Sequence, residues 1–164
     1  MMDAFFAEYG LQVLSMAVLL AASAFASGTE TALFSLNRRD IVQLEQSLSG
    51  RIAVGLLKQP RSLLTALLLF NMLVNVAFSA TAALLTLRIR ASGAGTLSII
   101  AASIVPLLLL ILLGEVTPKM IAYSSARGWS AMVAIPVSFL ERILRPPIVL
   151  LDVMVISPLS RIIT

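Results

Sequence analysis

The sequence predicts an all-α membrane protein: three transmembrane helices followed by juxtamembrane helices at the cytoplasmic interface, with the N-terminus outside and the C-terminus inside. Three observations carry this expectation. Of 164 residues, 59% are hydrophobic and only 12% charged, and the mean hydropathy is +1.01, which leaves too little polar surface for a soluble domain of this size. Three stretches reach the about 20 largely apolar residues that a spanning helix needs. The basic residues gather on the segments that this topology places inside.

The first span is expected over about residues 5–36. Asp3 and Glu8 flank its start where a signal peptide would carry Lys or Arg, so it reads as a permanent span. The connector from Asn37 to Arg61 holds Arg38, Arg39, Arg51, Lys58 and Arg61 against Asp40 and Glu45, and is expected as a cytoplasmic loop. The second span covers about 62–87. Arg88 and Arg90 in the next connection weigh mildly against the topology, but Lys119, Arg127, Arg142, Arg145 and Arg161 lie beyond the third span of about 96–122 and outweigh them. From 129 to 164 the chain stays apolar but carries Pro136, Pro146, Pro147 and Pro158. Proline breaks the helical ladder, so the tail is expected to divide into pieces of about a dozen residues, too short to span. These pieces would lie along the interface, with a kinked fourth span as the alternative. Residues 1–164 thus form a single multi-pass domain of the cell (inner) membrane. Because the chain stops in an apolar segment, a cytosolic continuation is expected beyond it.

With no Cys and no His, the residues supply no disulfide, zinc or haem site and no histidine base. A net charge of +4, scattered and without interleaved aromatics, points to no nucleic-acid partner. An enzyme is not expected: the usual bases and thiols are missing, and a hydrolase built on Ser27 would lack its base.

The polar residues within the spans carry the chemistry. Glu30 sits in Ser27-Gly28-Thr29-Glu30-Thr31, and Glu115 in Gly114-Glu115-Val116-Thr117-Pro118-Lys119. A charge near mid-membrane costs roughly 2.5–3.5 kcal/mol and usually faces a bundle interior, a partner or an ion. Residues three or four apart share a helix face, which aligns Ser23, Ser27, Glu30 and Thr31 on the first span and Asn71, Asn75 and Ser79 on the second. Pro118 cannot donate to the Gly114 carbonyl, which frees an oxygen beside the Glu115 carboxylate. Carboxylate, amide, hydroxyl and carbonyl oxygens suit Mg²⁺, Ca²⁺ or Na⁺ rather than a soft metal. Other readings stay open. Ser27, Gly28 and Thr29 also fit a small-residue packing seam, and the two asparagines fit hydrogen-bonded glue between helices. Glu115 also fits a pair with Lys119, and Glu30 a solvated interfacial position near Arg38 and Arg39.

The segments Ala26-Ser27-Gly28-Thr29-Glu30-Thr31-Ala32-Leu33-Phe34-Ser35 and Gly114-Glu115-Val116-Thr117-Pro118-Lys119 resemble the two signature segments of the membrane domain of the CorC and cyclin-M family of magnesium transporters. The resemblance covers nearly the whole chain, including the basic connector and the proline-interrupted tail. It implies a homodimer that exports Mg²⁺ in exchange for Na⁺, with dehydrated Mg²⁺ held by the Ser27 region, Asn71, Asn75, the Gly114 carbonyl and Glu115. It also implies that Ser23, Glu30 and Thr31 shape a neighbouring Na⁺ path. In the family, ATP-binding cystathionine-β-synthase-type modules follow the membrane domain, and they are absent from these 164 residues. The rival expectation is a non-transporting Mg²⁺ sensor that anchors such modules.

Overall fold

A computed structural model describes the backbone of residues 2–151 and the side chains of residues 9–146. The expected tail beyond 151 lies outside the described residues. All regular structure among the described residues is helical: α1 (Met2–Phe34), α2 (Arg38–Leu44), α3 (Leu48–Leu56), α4 (Pro60–Ala91), α5 (Thr96–Leu109), a π-helical segment (Leu110–Val116), α6 (Thr117–Ser124) and α7 (Ala126–Leu151). Three helical stretches, Tyr9–Phe34, Pro60–Ala91 and Thr96–Ser124, are long and apolar enough to cross a membrane. They match the three predicted spans to within a few residues. The third is composite, made of α5, the π segment and α6.

The chain forms two compact units. One takes α1 as far as Gly28 together with Phe70–Ile121. Its core sets Tyr9 and Met16 of α1 with Phe78 and Leu85 of α4 and with Leu110, and Leu19, Leu20, Ala82 and Ile89 pack around them. α1 and α4 each contribute residues seven apart, two turns along one face, which is the spacing of a helix–helix seam. The residues Leu107 to Leu109 and Ile111 to Leu113 are all exposed, as suits a helix whose outer surface is solvated by lipid rather than water. After α4 the chain turns at Gly93, whose φ of +78° is a left-handed conformation that a residue with a Cβ rarely adopts.

Pro106 lies inside α5 and is buried. It has no N–H for the carbonyl of Ala102 one turn earlier, and the Thr86 hydroxyl of α4 lies 3.1 Å from that oxygen. The same hydroxyl is 3.0 Å from the Ala82 carbonyl, so its single proton is shared between its own helix and the neighbouring one.

The other unit comprises Thr29–Leu69 and the chain from Ala122. The connector expected as a loop is in fact two short helices. Asn37 caps α2, accepting from the backbone N–H of Arg39 at 2.9 Å and of Asp40 at 3.0 Å, while Asp40 Oδ2 accepts from the Asn37 N–H at 3.1 Å. This is a capping box. Ser47 caps α3 by accepting from the Gly50 N–H at 3.0 Å. Leu44, Gly50, Ala53 and Leu56 are buried, and α3 packs on α2 and α7.

Gly50 is required by close approach, since a Cβ there would run into the Leu44 carbonyl oxygen and lie 2.6 Å from its carbon. Gly50→Ala is expected to destabilise this unit by about 1–3 kcal/mol, the usual cost of overpacking. Gly55→Ala on the same helix, where a Cβ meets nothing within 4 Å, serves as the matched control. Thermal unfolding in detergent checks the pair: a lowered transition for the first variant only.

The tail also differs from expectation as far as Leu151: α7 is one helix from Ala126 that runs through Pro136. Ser130, Val133, Ala134 and Val137 form a buried stripe at helical spacing, and this packing holds the helix together across the proline. Pro136 itself is exposed, so the ladder bond it removes lies on the open side. That side also presents Met132, Ile135, Phe139 and Ile143.

Candidate cation site

The first unit brings together six of the eight residues singled out in the sequence. Ser23 and Ser27 of α1 are fully buried. Asn71 and Asn75 of α4 and Glu115 are half-buried, and Gly114 is buried. The Ser23 hydroxyl oxygen is the hub, 2.7 Å from Asn75 Oδ1, 3.3 Å from Asn71 Oδ1 and 3.4 Å from the Gly114 carbonyl oxygen. One hydroxyl proton serves one good acceptor, and the short contact to Asn75 takes it. Asn75 Nδ2 then donates to Glu115 Oε1 at 2.8 Å, which fixes the orientation of the amide, since a carboxylate only accepts. Ser27 Oγ donates to the Glu115 carbonyl at 3.4 Å.

Three acceptor oxygens therefore crowd one proton, next to a carboxylate and a second hydroxyl. Such a surplus of acceptors in a buried place is costly for hydrogen bonding alone, and it is what a hard cation requires. Among the described residues no group of three or more His, Cys, Asp or Glu is positioned to hold a metal, so the neutral oxygens must supply most of any coordination shell. A single carboxylate compensates only part of a divalent charge, which favours weak binding and ready release over storage.

The local chain geometry explains the exposed oxygens. The backbone N–H of Thr117 reaches back five residues to the Leu112 carbonyl, a π-type bond. Glu115 thus sits in a widened turn, a device often found at functional sites. Pro118 does remove the donor for the Gly114 carbonyl, as the sequence implied, but the widening already begins at Leu110. Gly114 is needed at this point: a Cβ would stand 3.1 Å from Ser23 Oγ and 3.2 Å from Leu110 Cδ1.

Four expectations from the sequence meet the geometry here. The described partner of the Glu115 carboxylate is Asn75, while Lys119 is exposed. Ser23, expected beside a Na⁺ path, occupies the centre of the oxygen cluster. Glu30 and Thr31 belong to the second unit, where both are half-buried. Thr29 is fully buried there, with no hydrogen-bond partner for its hydroxyl among the described residues. What the sequence reading missed is Thr86, whose role depends on helix register; its signal was a hydroxyl on one span and a mid-helix proline on the next.

Comparison with known proteins places the chain in a family. A UPF0053 protein of Haemophilus influenzae strain Rd is 31% identical over 138 residues, covering 83% of this chain and 32% of the relative. The chain thus spans about a third of that relative's length. The family model for the cyclin M transmembrane N-terminal domain matches residues 14–162, nearly the whole chain, and the chain belongs to that family.

Proposed function

We propose that the chain is the ion-handling core of a Mg²⁺ transporter, and that it exports Mg²⁺ in exchange for Na⁺. Membership of the cyclin M family suggests a role in divalent-cation transport or sensing, and one observation carries the reading further: the convergence of Asn71 Oδ1, Asn75 Oδ1 and the Gly114 carbonyl on the Ser23 hydroxyl beside Glu115. In the ion-free arrangement the Ser23 proton and the Asn75 amide hold these acceptors close together. An arriving Mg²⁺ replaces that proton at the centre, the Ser23 hydroxyl turns its hydrogen away, and Glu115 exchanges its bond from Asn75 for the ion. Ser27 positions the Glu115 backbone. Stripping water from Mg²⁺ is unfavourable unless the oxygens are already in place, and three helices converging on one hydroxyl provide that preorganisation.

Coupling to Na⁺, a homodimeric assembly in the inner cell membrane, a Na⁺ path past Glu30 and Thr31, and control by ATP-binding cytosolic modules follow from the family resemblance and are part of the same proposal. A ligand moves a conformational equilibrium only by its differential affinity, so Na⁺ and Mg²⁺ are expected to favour different states of the transporter. Mg²⁺ flux into or out of proteoliposomes, with and without a Na⁺ gradient, tests the proposal. Flux that follows the gradient supports exchange. Mg²⁺ binding without flux would establish a sensor instead.

A further inference from the structure

The second unit carries a cleft that the cation site does not use. It has a volume of about 290 Å³ and lies between α3 and α7, lined by Ile52, Gly55, Leu56 and Gln59 on one side and Ser138, Glu141, Arg142 and Arg145 on the other. A neighbouring cleft of about 410 Å³ shares Gly55 and adds Glu45, Arg51 and Lys58. All four basic residues are exposed. The two clefts together hold four cations and two carboxylates, and at Gly55, which lines both, a Cβ would meet nothing within 4 Å.

The position of this groove in the chain sets its depth. Gln59 directly precedes Pro60, the first residue of the second span, so the groove opens where a membrane helix leaves the hydrocarbon for the headgroup layer. On α7 the exposed Met132, Ile135, Phe139 and Ile143 recur at helical spacing and end beside Arg142 and Arg145. A helix with an apolar stripe flanked by arginines lies in the plane of the interface. Guanidinium groups recognise phosphate oxygens through paired donors, and Arg142 and Arg145, three residues apart, share a helix face.

We propose that the cleft between α3 and α7 binds the phosphate headgroup of an anionic phospholipid, with Arg142 and Arg145 on its wall and with Arg51 and Lys58 of the neighbouring cleft adding to the positive field. Glu141 leaves the cleft that holds Arg142 and Arg145 one positive unit, and Glu45 leaves the neighbouring cleft with Arg51 and Lys58 another, which suits a singly charged phosphodiester better than a polyphosphate. The bound lipid ties α3 to α7 at the foot of the second span, independently of whether the first unit moves an ion.

Calorimetric titration of the detergent-solubilised full chain with dihexanoyl phosphatidylglycerol tests the site, with dihexanoyl phosphatidylcholine and inorganic phosphate as comparison probes. Phosphatidylglycerol is expected to bind and phosphatidylcholine to bind far more weakly. Each surface charge removed should weaken binding about fivefold, so the double variant Arg142→Gln/Arg145→Gln is expected to lose about 25-fold. Arg142→Lys/Arg145→Lys keeps both charges but loses the paired donors, and is expected to bind less tightly than the parent and more tightly than the glutamine double variant. Arg88→Gln/Arg90→Gln, at the other end of the second span, should change nothing. Equal binding of the two lipids, an unaltered affinity in the glutamine double variant, or an equal loss in the Arg88/Arg90 control would overturn the proposal. Inorganic phosphate binding as tightly as the lipid would also overturn it, in favour of a site for free anions.

Discussion

Glu115→Ala is expected to abolish coupled Mg²⁺ flux in proteoliposomes. The carboxylate is the one full negative charge in the oxygen cluster, and removing it leaves a divalent ion with neutral dipoles only. Losing a mere outer-shell partner of a metal costs about 10–100-fold in affinity or activity, so losing the charged ligand should cost at least as much. The alanine variant also strips the Asn75 amide of its acceptor, and Glu115→Gln separates the two effects. Glutamine keeps an oxygen within reach of Asn75 Nδ2 and lacks only the charge. The expected result is a normally folded Glu115→Gln protein whose flux is as low as that of Glu115→Ala. Flux near the parent level in Glu115→Gln would mean that Glu115 acts by shape and hydrogen bonding, and the charge-compensation role would be wrong.

Ser23→Ala should be nearly as damaging, by a different route. Its hydroxyl is the donor to Asn75 and the point on which Asn71 and Gly114 converge, and a buried acceptor that loses its donor costs about 1–3 kcal/mol. The ion-free variant should therefore unfold at a lower temperature than the parent. The informative quantity is the additional stabilisation by saturating Mg²⁺, which reports affinity for the folded state. A smaller rise in unfolding temperature for Ser23→Ala identifies Ser23 as a ligand. An equal rise in parent and variant would reduce it to a packing residue of the helix seam.

The span lengths were legible because a bilayer imposes them, and the oxygen ligands because polar residues four apart must share a face. Spacing put Ser23 with Ser27 and Asn71 with Asn75 on common faces, and the structure brings these faces together with Gly114 and Glu115. The division of labour among them was not legible. Ser23 and Ser27 are one turn apart on a helix whose other faces are apolar, and an apolar pattern does not reveal helix rotation in a membrane as it does in water. The connector helices escaped for another reason: Asn37 and Asp40, three apart, and Ser47 before Gly50 are cap signals that a reading centred on charge passed over. In the tail, proline was given too much weight. An exposed Pro136 removes a bond on the open side of α7 while Val133, Ala134 and Val137 hold the other side. The widened turn around Glu115 is the least predictable feature, because one extra residue in a helical turn leaves no composition signal.

The two prolines of the third span give it uneven bending stiffness. Pro106 and Pro118 each delete one ladder bond, at Ala102 and at Gly114, and helices bend where such bonds are absent. The piece between these carbonyls, roughly 18 Å at the standard rise, is a rod with a joint at either end, the second joint widened by the π turns from Leu110. The first joint is pinned by the Thr86 hydroxyl, a bond worth only about 1 kcal/mol, whereas at the second the Ser23 proton is committed to Asn75 and the Gly114 oxygen keeps only a long contact. An occupant that claims the Gly114 oxygen leaves the Thr86 pin in place, so the rod would pivot about Thr86 rather than slide.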